Sequence, residues 1–183
     1  LTLDSIAKEI ERHRCDLELC NNRKRYVYGE GAPNAHVMFV GEAPGAQEEE
    51  EGRPFVGRAG KLLDNLITYM GMWRPQVYIT NIIKVRPPNN RDPTLEEIAH
   101  YLPWLHDQIE CIEPKVIVTL GRFALSYFAP NLKIGDAHGV FLIDPEYMIF
   151  PMYHPSAALH DGRLKDTLFT DAEMLANTLA DLL

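Results

Sequence analysis

Long apolar runs are missing from this sequence. No stretch approaches the roughly 20 residues that a membrane-spanning helix needs, so no membrane anchor is expected. The first residues are polar and amphipathic, so no secretory leader is expected either. Cysteine is scarce, with 3 in 183 residues, which excludes a disulfide-dense scaffold. No Cys-x-x-Cys pair occurs, so a zinc ribbon or dithiol redox site is not indicated and no metal is expected. Cys15, Cys20 and Cys111 read as free thiols in a reducing, cytoplasmic compartment. Positive charge is also short: 18 Lys plus Arg stand against 26 Asp plus Glu, a net charge of −8. That balance argues against a protein that coats nucleic acid unspecifically, but binding follows local potential, so a local basic groove stays open.

What is present suits one globular domain over residues 1–183, with 46% hydrophobic and 24% charged residues. A monomer is the default. Leu3, Ile6, Ala7 and Ile10 recur at helical spacing and predict a short amphipathic helix over 3–12. Four apolar runs read as strands covered on both faces: 36–41, 77–83, 115–121 and 148–152. Between them, Leu62, Leu63, Leu66 and Ile67 stripe a helix over 57–69. Thr94 with Glu97 forms a capping-box signature for a helix that ends before Pro114. A short helix spans 122–128, and a last helix from about Asp166 to Leu182 carries Leu168, Met174, Leu175, Leu179 and Leu182. Strand–helix alternation predicts an α/β fold. The expected architecture is a three-layer α/β/α sandwich around a mainly parallel, about four-stranded sheet. The segment 135–147 has room for one further short strand.

Ligands of open parallel sheets bind beyond the C-terminal ends of the strands. Those ends are where glycines and polar residues gather here. After the first strand come Gly41-Glu-Ala-Pro-Gly45, Glu48 and Gly52-Arg-Pro-Phe-Val-Gly57. Glycines there allow sharp turns and close backbone approach to a ligand. Glu42 leaves a buried strand beside them and is placed to orient a water or favour a developing cation. The acidic run through Glu49, Glu50 and Glu51 reads as a solvated face. Phe55 either plugs the local core or offers a stacking platform for a flat ring. Asn81 ends the second strand, as a turn residue or as a reader of a base edge. Lys84, Arg86 and Arg91 share a segment without acids, which is either a solvated loop or a phosphate-contacting patch. His154 follows the fourth strand, facing the same edge.

These residues resemble a known family. Gly41-Glu-Ala-Pro-Gly45 with Gly52-Arg-Pro-Phe-Val-Gly-Arg-Ala-Gly60 is similar to the first motif of the family-four uracil-DNA glycosylases. Tyr78 to Arg91 resembles their central stretch, and His154-Pro155 their second catalytic motif. The resemblance runs from about Arg23 to Leu159. It implies a monofunctional DNA-repair enzyme that hydrolyses the N-glycosidic bond of uracil in DNA and leaves an abasic site. By the same resemblance Glu42 and Glu48 are the acids near the scissile bond, Phe55 stacks on uracil, Asn81 reads its edge, His154 bonds its O2, and backbone at Ala43 helps hold the base. Arg53, Arg58, Lys84, Arg86, Arg91 and Ser156 are then the expected DNA contacts. The other reading is a catalytically weak or inactive relative that binds uracil or DNA.

One departure concerns a cofactor. The family pattern implies a [4Fe–4S] cluster on four cysteines, two from an N-terminal Cys-x-x-Cys, one from a Cys-Arg-Pro-Pro segment and one from the following helix. Here Val85 stands in the second place and Tyr101 in the third, and Cys15 and Cys20 are not at that spacing. With the ligands out of place, no cofactor is expected.

Overall fold

Alternation along each strand decides which helices it meets, because successive side chains of a strand point to opposite faces. The computed structural model describes all residues, 1–183. Its central strands are β2 (Val37–Gly41), β3 (Tyr78–Asn81), β4 (Val116–Leu120) and β6 (Met148–Met152), all mutually parallel. Val37, Phe39, Ile79, Val116, Val118 and Phe150 face one core, closed by α4 (Arg58–Tyr69) and α9 (Gly162–Leu182). Met38, Val40, Tyr78 and Ile117 face the other, closed by α1 (Leu3–Arg12), α2 (Glu18–Asn21) and α5 (Leu95–Ile112). The remaining helices are short: α3 (Ala46–Glu51), α6 (Arg122–Phe128), α7 (Ile134–Ala137) and α8 (Pro155–Ala158). This is the expected three-layer α/β sandwich. No helix is long and apolar enough to cross a membrane.

The sheet has six strands rather than about four, in the order β1-β3-β2-β4-β6-β5. The two additions, β1 (Glu30–Gly31) and β5 (Leu142–Ile143), are antiparallel edges of two residues each. A pair of residues is too short to show a hydrophobic period, although β5 falls in the segment with room for a strand. The run 77–83 also ends earlier than its apolar character suggests. Pairing stops at Asn81, after which the Ile82 and Ile83 N–H groups donate to the carbonyls of Gly41 and Glu42. Those two bonds, with the Gly41–Asn81 register, hold Glu42 and Asn81 side by side at the sheet edge.

Helix ends follow local chemistry. The Thr94 hydroxyl accepts from the Glu97 N–H, and the Glu97 carboxylate accepts from the Thr94 N–H, as the capping box requires. The last helix starts at Gly162 rather than Asp166, because Asp161 caps it by accepting from the Arg163 N–H. Its buried stripe is Leu168, Ala172, Leu175 and Leu179, whereas Met174 and Leu182 are exposed.

Two further expectations are corrected. Glu49 is buried, not solvated: the acidic run folds as α3, and the Glu49 carboxylate accepts the Lys24 N–H and lies 3.7 Å from Arg86. Cys15 and Cys20 are joined as a disulfide, leaving Cys111 as the one free thiol. A separation of five residues across the turn between α1 and α2 brings the two sulfurs together, which composition alone does not reveal.

Candidate active site

The cleft with converging chemistry opens at the C-terminal ends of the parallel strands, as expected for such a sheet. Its volume is about 250 Å³, below the roughly 300–1,000 Å³ of drug-sized pockets, so it matches a single flat ring. Glu42, Ala43, Glu48, Phe55, Asn81, Arg91, His154 and Ser156 all line it. A larger open cleft of about 640 Å³ lies at the opposite edge, beside Lys115 and Tyr147 that precede β4 and β6, where this sheet class does not place its chemistry.

The two acids near the cleft have different surroundings. The Glu48 carboxylate accepts three backbone N–H groups: Gly45 at 3.2 Å, Val56 at 3.0 Å and Gly57 at 2.9 Å. It is committed to holding the loop. Glu42 is half-buried and its side chain makes no hydrogen bond. Burial, with repulsion from Asp92 and partial relief from Arg122, raises its pKa to about 7.

Phe55 is held in a left-handed backbone conformation, φ 49°, which is costly for a residue with a side chain. Glu48 grips the following N–H groups, and Arg74 donates to the carbonyls of Pro54 and Phe55 while also binding Glu30 and Asp64. A Cβ on Gly60 would lie 1.9 Å from the Phe55 carbonyl oxygen, so only glycine lets α4 approach this turn. Gly41 serves the same turn from beneath. Its φ is not positive, contrary to the sharp turn expected there; instead its missing side chain makes room, since a Cβ would meet Asn81 Oδ1 at 2.5 Å and Phe55 Cζ at 2.6 Å. The Phe55 ring stacks on His154, centroids 5.5 Å apart and planes 29° from parallel. Asn81 is 1% exposed, and its Oδ1 has no hydrogen-bond partner in the protein. An orphan acceptor of that kind costs about 1–3 kcal/mol unless a ligand satisfies it.

His154 ends β6 and caps α8. Its Nδ1 accepts from the Ser156 N–H at 3.1 Å and lies 2.7 Å from the Ser156 hydroxyl. A backbone N–H can only donate, so Nδ1 carries no proton and the hydrogen of the neutral ring sits on Nε2. Burial lowers the pKa to about 4, with Glu48 opposing. His154 is therefore a neutral, oriented N–H donor at neutral pH. Ser156, expected to touch DNA, orients that ring.

A model of the uracil DNA glycosylase superfamily matches residues 28–182. The chain belongs to that superfamily. It is 45% identical over 181 residues to the type-4 uracil-DNA glycosylase of Sulfurisphaera tokodaii, an alignment covering 93% of this chain and 81% of that one. It is 44% identical over 189 residues to the type-4 enzyme of Saccharolobus solfataricus, covering 97% and 87%. It is also 41% identical over 180 residues to that of Archaeoglobus fulgidus, covering 93% and 89%. These identities place the chain with the type-4 glycosylases, hydrolases of N-glycosyl bonds in base excision repair.

The basic residues of this glycosylase do not form the expected free patch. Lys84 is fully buried, and its Nζ donates to Thr80 Oγ1, the Asn81 carbonyl and Gln108 Oε1. Burial holds its pKa well below the ordinary lysine value. It cannot reach a phosphate; it fastens the backbone of Asn81. Arg91 forks onto Glu97 at 2.6 and 2.9 Å, Arg53 forks onto Glu30, and Arg86 bonds Asn90 beside Glu49. Arg58 alone among these five is exposed with no ion pair. Sequence reasoning missed Arg74, whose partners are 10 to 44 residues away with no motif to signal them. It missed Asn90 as well, which lines the cleft from a left-handed position, φ 54°.

The residues present do not fit the iron–sulfur cluster that the type-4 resemblance implies. Val85 and Tyr101 are buried in the core with Cys20, and the Tyr101 hydroxyl lies 3.3 Å from Cys20 Sγ. That contact sets Cys20 beside one of the pattern's positions, but Val85 and Tyr101 stand where two of the four thiols are required.

If Lys84 anchors β3, Lys84→Met leaves buried acceptors without donors. Chemical denaturation is expected to show a loss of about 1–3 kcal/mol or more. A variant as stable as the parent would show that the ammonium does not fasten this strand.

Proposed function

We propose that the cleft receives a uracil flipped out of DNA and hydrolyses its N-glycosidic bond, freeing uracil and leaving an abasic site. The observation that carries this reading is the buried Asn81 amide, unpaired in the protein and set beside Phe55 and His154. Uracil supplies what Asn81 lacks: its N3–H donates to Oδ1, and its O4 accepts from Nδ2. Cytosine presents the reverse pattern and leaves the amide unpaired, a mismatch that buried polar sites reject strongly. Phe55 stacks on the ring. Because the base is unreachable inside a duplex, it must leave the stack first. The turn from α8 to α9 fills part of the gap it leaves.

As the C1′–N1 bond breaks, its electron pair moves onto uracil and spreads to O2 and O4. His154 Nε2–H donates to O2, a preorganised dipole where charge develops. The sugar becomes cationic at C1′. Glu42, the carboxylate without a partner, holds the water that attacks C1′ and takes its proton. Glu48 contributes by holding the loop. The chain acts as a monomer on uracil-bearing DNA in the cytoplasm.

A labelled oligonucleotide with one uracil, single-stranded or opposite guanine, tests this. Alkali-dependent cleavage at the uracil is expected, and single-turnover rates should fall by about 10²–10³ in His154→Ala and at least as far in Asn81→Ala. Near-normal rates in these folded variants would sink the assignments, and no cleavage by the parent would favour a binding-only relative.

The pH profile separates the two candidate titrating groups. Glu42 must be ionised to take a proton, so the rate should climb with rising pH and level off above about 7. His154 titrates near 4 and contributes nothing to that limb. In Glu42→Gln the limb should vanish and the rate drop by about 10²–10⁴. A limb that persists in this variant assigns the base elsewhere.

Arg58 is the proposed phosphate contact. Arg58→Ala should weaken binding of all sequences alike and reduce the slope of log affinity against log salt by about 1. An unchanged slope removes it from the interface.

A further inference from the structure

The region where the type-4 pattern would place a cluster still gathers metal-ligating side chains. Cys15 Sγ, Cys20 Sγ and a ring nitrogen of His100 all lie within 4.8 Å of one another. They come from three segments: the turn after α1, the helix α2 and the first half of α5. The His13 ring stands next to His100, centroids 5.2 Å apart. Two thiolates with imidazole form a borderline-soft donor set that suits tetrahedral zinc(II). Zinc–ligand bonds of about 2.0–2.3 Å put donors about 3.3–3.8 Å apart, a small adjustment from the present spacing once the sulfurs part.

The surroundings favour ligation. The Tyr101 hydroxyl sits 3.3 Å from Cys20 Sγ and can donate to a thiolate, and Arg23 donates to the Cys20 carbonyl. A single ion needs only these few donors, whereas two of the cluster pattern's positions are held by the buried side chains of Tyr101 and Val85.

We propose that, with the cysteine pair reduced, Cys15, Cys20 and His100 bind one zinc(II) ion, with His13 as the fourth ligand. The Cys15–Cys20 disulfide is the oxidised, metal-free form of the same site. A small-molecule disulfide interconverts them: the two bound thiolates give it two electrons, forming the Cys15–Cys20 bond and releasing zinc and two small thiolates. Either form ties the turn between α1 and α2 together, and zinc adds a tie to α5 through His100.

The test uses the full chain without an affinity tag, prepared without oxygen under a thiol-free phosphine reductant and loaded with zinc or cobalt(II). The expected result is about one metal per chain. Cobalt should show thiolate charge-transfer bands and the intense visible bands of a tetrahedral site, and zinc should raise the melting temperature. The cobalt spectrum should be lost in Cys20→Ser and lost or shifted in His100→Ala; the second variant, at a half-buried position, answers if the first fails to fold. A fully reduced chain with 3 titratable thiols that takes up neither metal overturns the proposal. So does a preparation carrying about four irons per chain with brown absorption, or a cobalt spectrum unchanged in His100→Ala.

Discussion

The Glu48 carboxylate is the fixing point of the cleft. By accepting the N–H groups of Gly45, Val56 and Gly57, it ties the exit of β2 to the loop that carries Phe55. Those donors sit at a helix start and in a tight turn, where no regular ladder would satisfy them. Charge-assisted bonds of this kind are stronger than neutral ones, and the strained Phe55 backbone needs that strength. Arg74 and Gly60 complete the grip from the other side, one by hydrogen bonds and one by leaving space. The Phe55 ring is thus held by the fold itself, so its ordering entropy is met in folding.

Two carboxylates of the same motif consequently have different chemistry. Glu48 is saturated with donors, while Glu42 faces the cleft without one and is left with the full effect of burial. Environment, not residue type, separates brace from candidate base. The same logic applies to His154. Two contacts from Ser156 settle its tautomer, and burial removes its charge, so it offers a dipole that needs no reorganisation as charge develops nearby.

The sequence made the sheet, its helices and most of the cleft legible, because these rest on local pattern. Continuous apolar runs marked the four parallel strands, and the strand ends located Glu42, Asn81 and His154. Partners distant in sequence were not legible. Lys84 looks like a surface cation until Gln108, 24 residues on, and Thr80 are folded against it. Glu49 looks solvated until α3 turns it towards Lys24. The two-residue edge strands and the Cys15–Cys20 bond carry no periodic signal at all.

The pairing of the cations bears on how such a chain would hold a polyanion. With a net charge of −8 and the Arg53, Arg86 and Arg91 guanidiniums engaged by carboxylates, a nearby phosphate must compete with a partner already in place. Exchanging one anion for another yields less than meeting a free cation, and fewer counterions are released from the DNA than the number of basic residues suggests. Electrostatic grip from these three cations is then weak and dispersed, and in the proposed reading discrimination falls to the buried amide of Asn81 and the ring of Phe55. An acidic protein of this kind gains little by lingering on undamaged backbone. On the proposed reading it commits only where a base can leave the stack and satisfy the orphan acceptor at the end of β3.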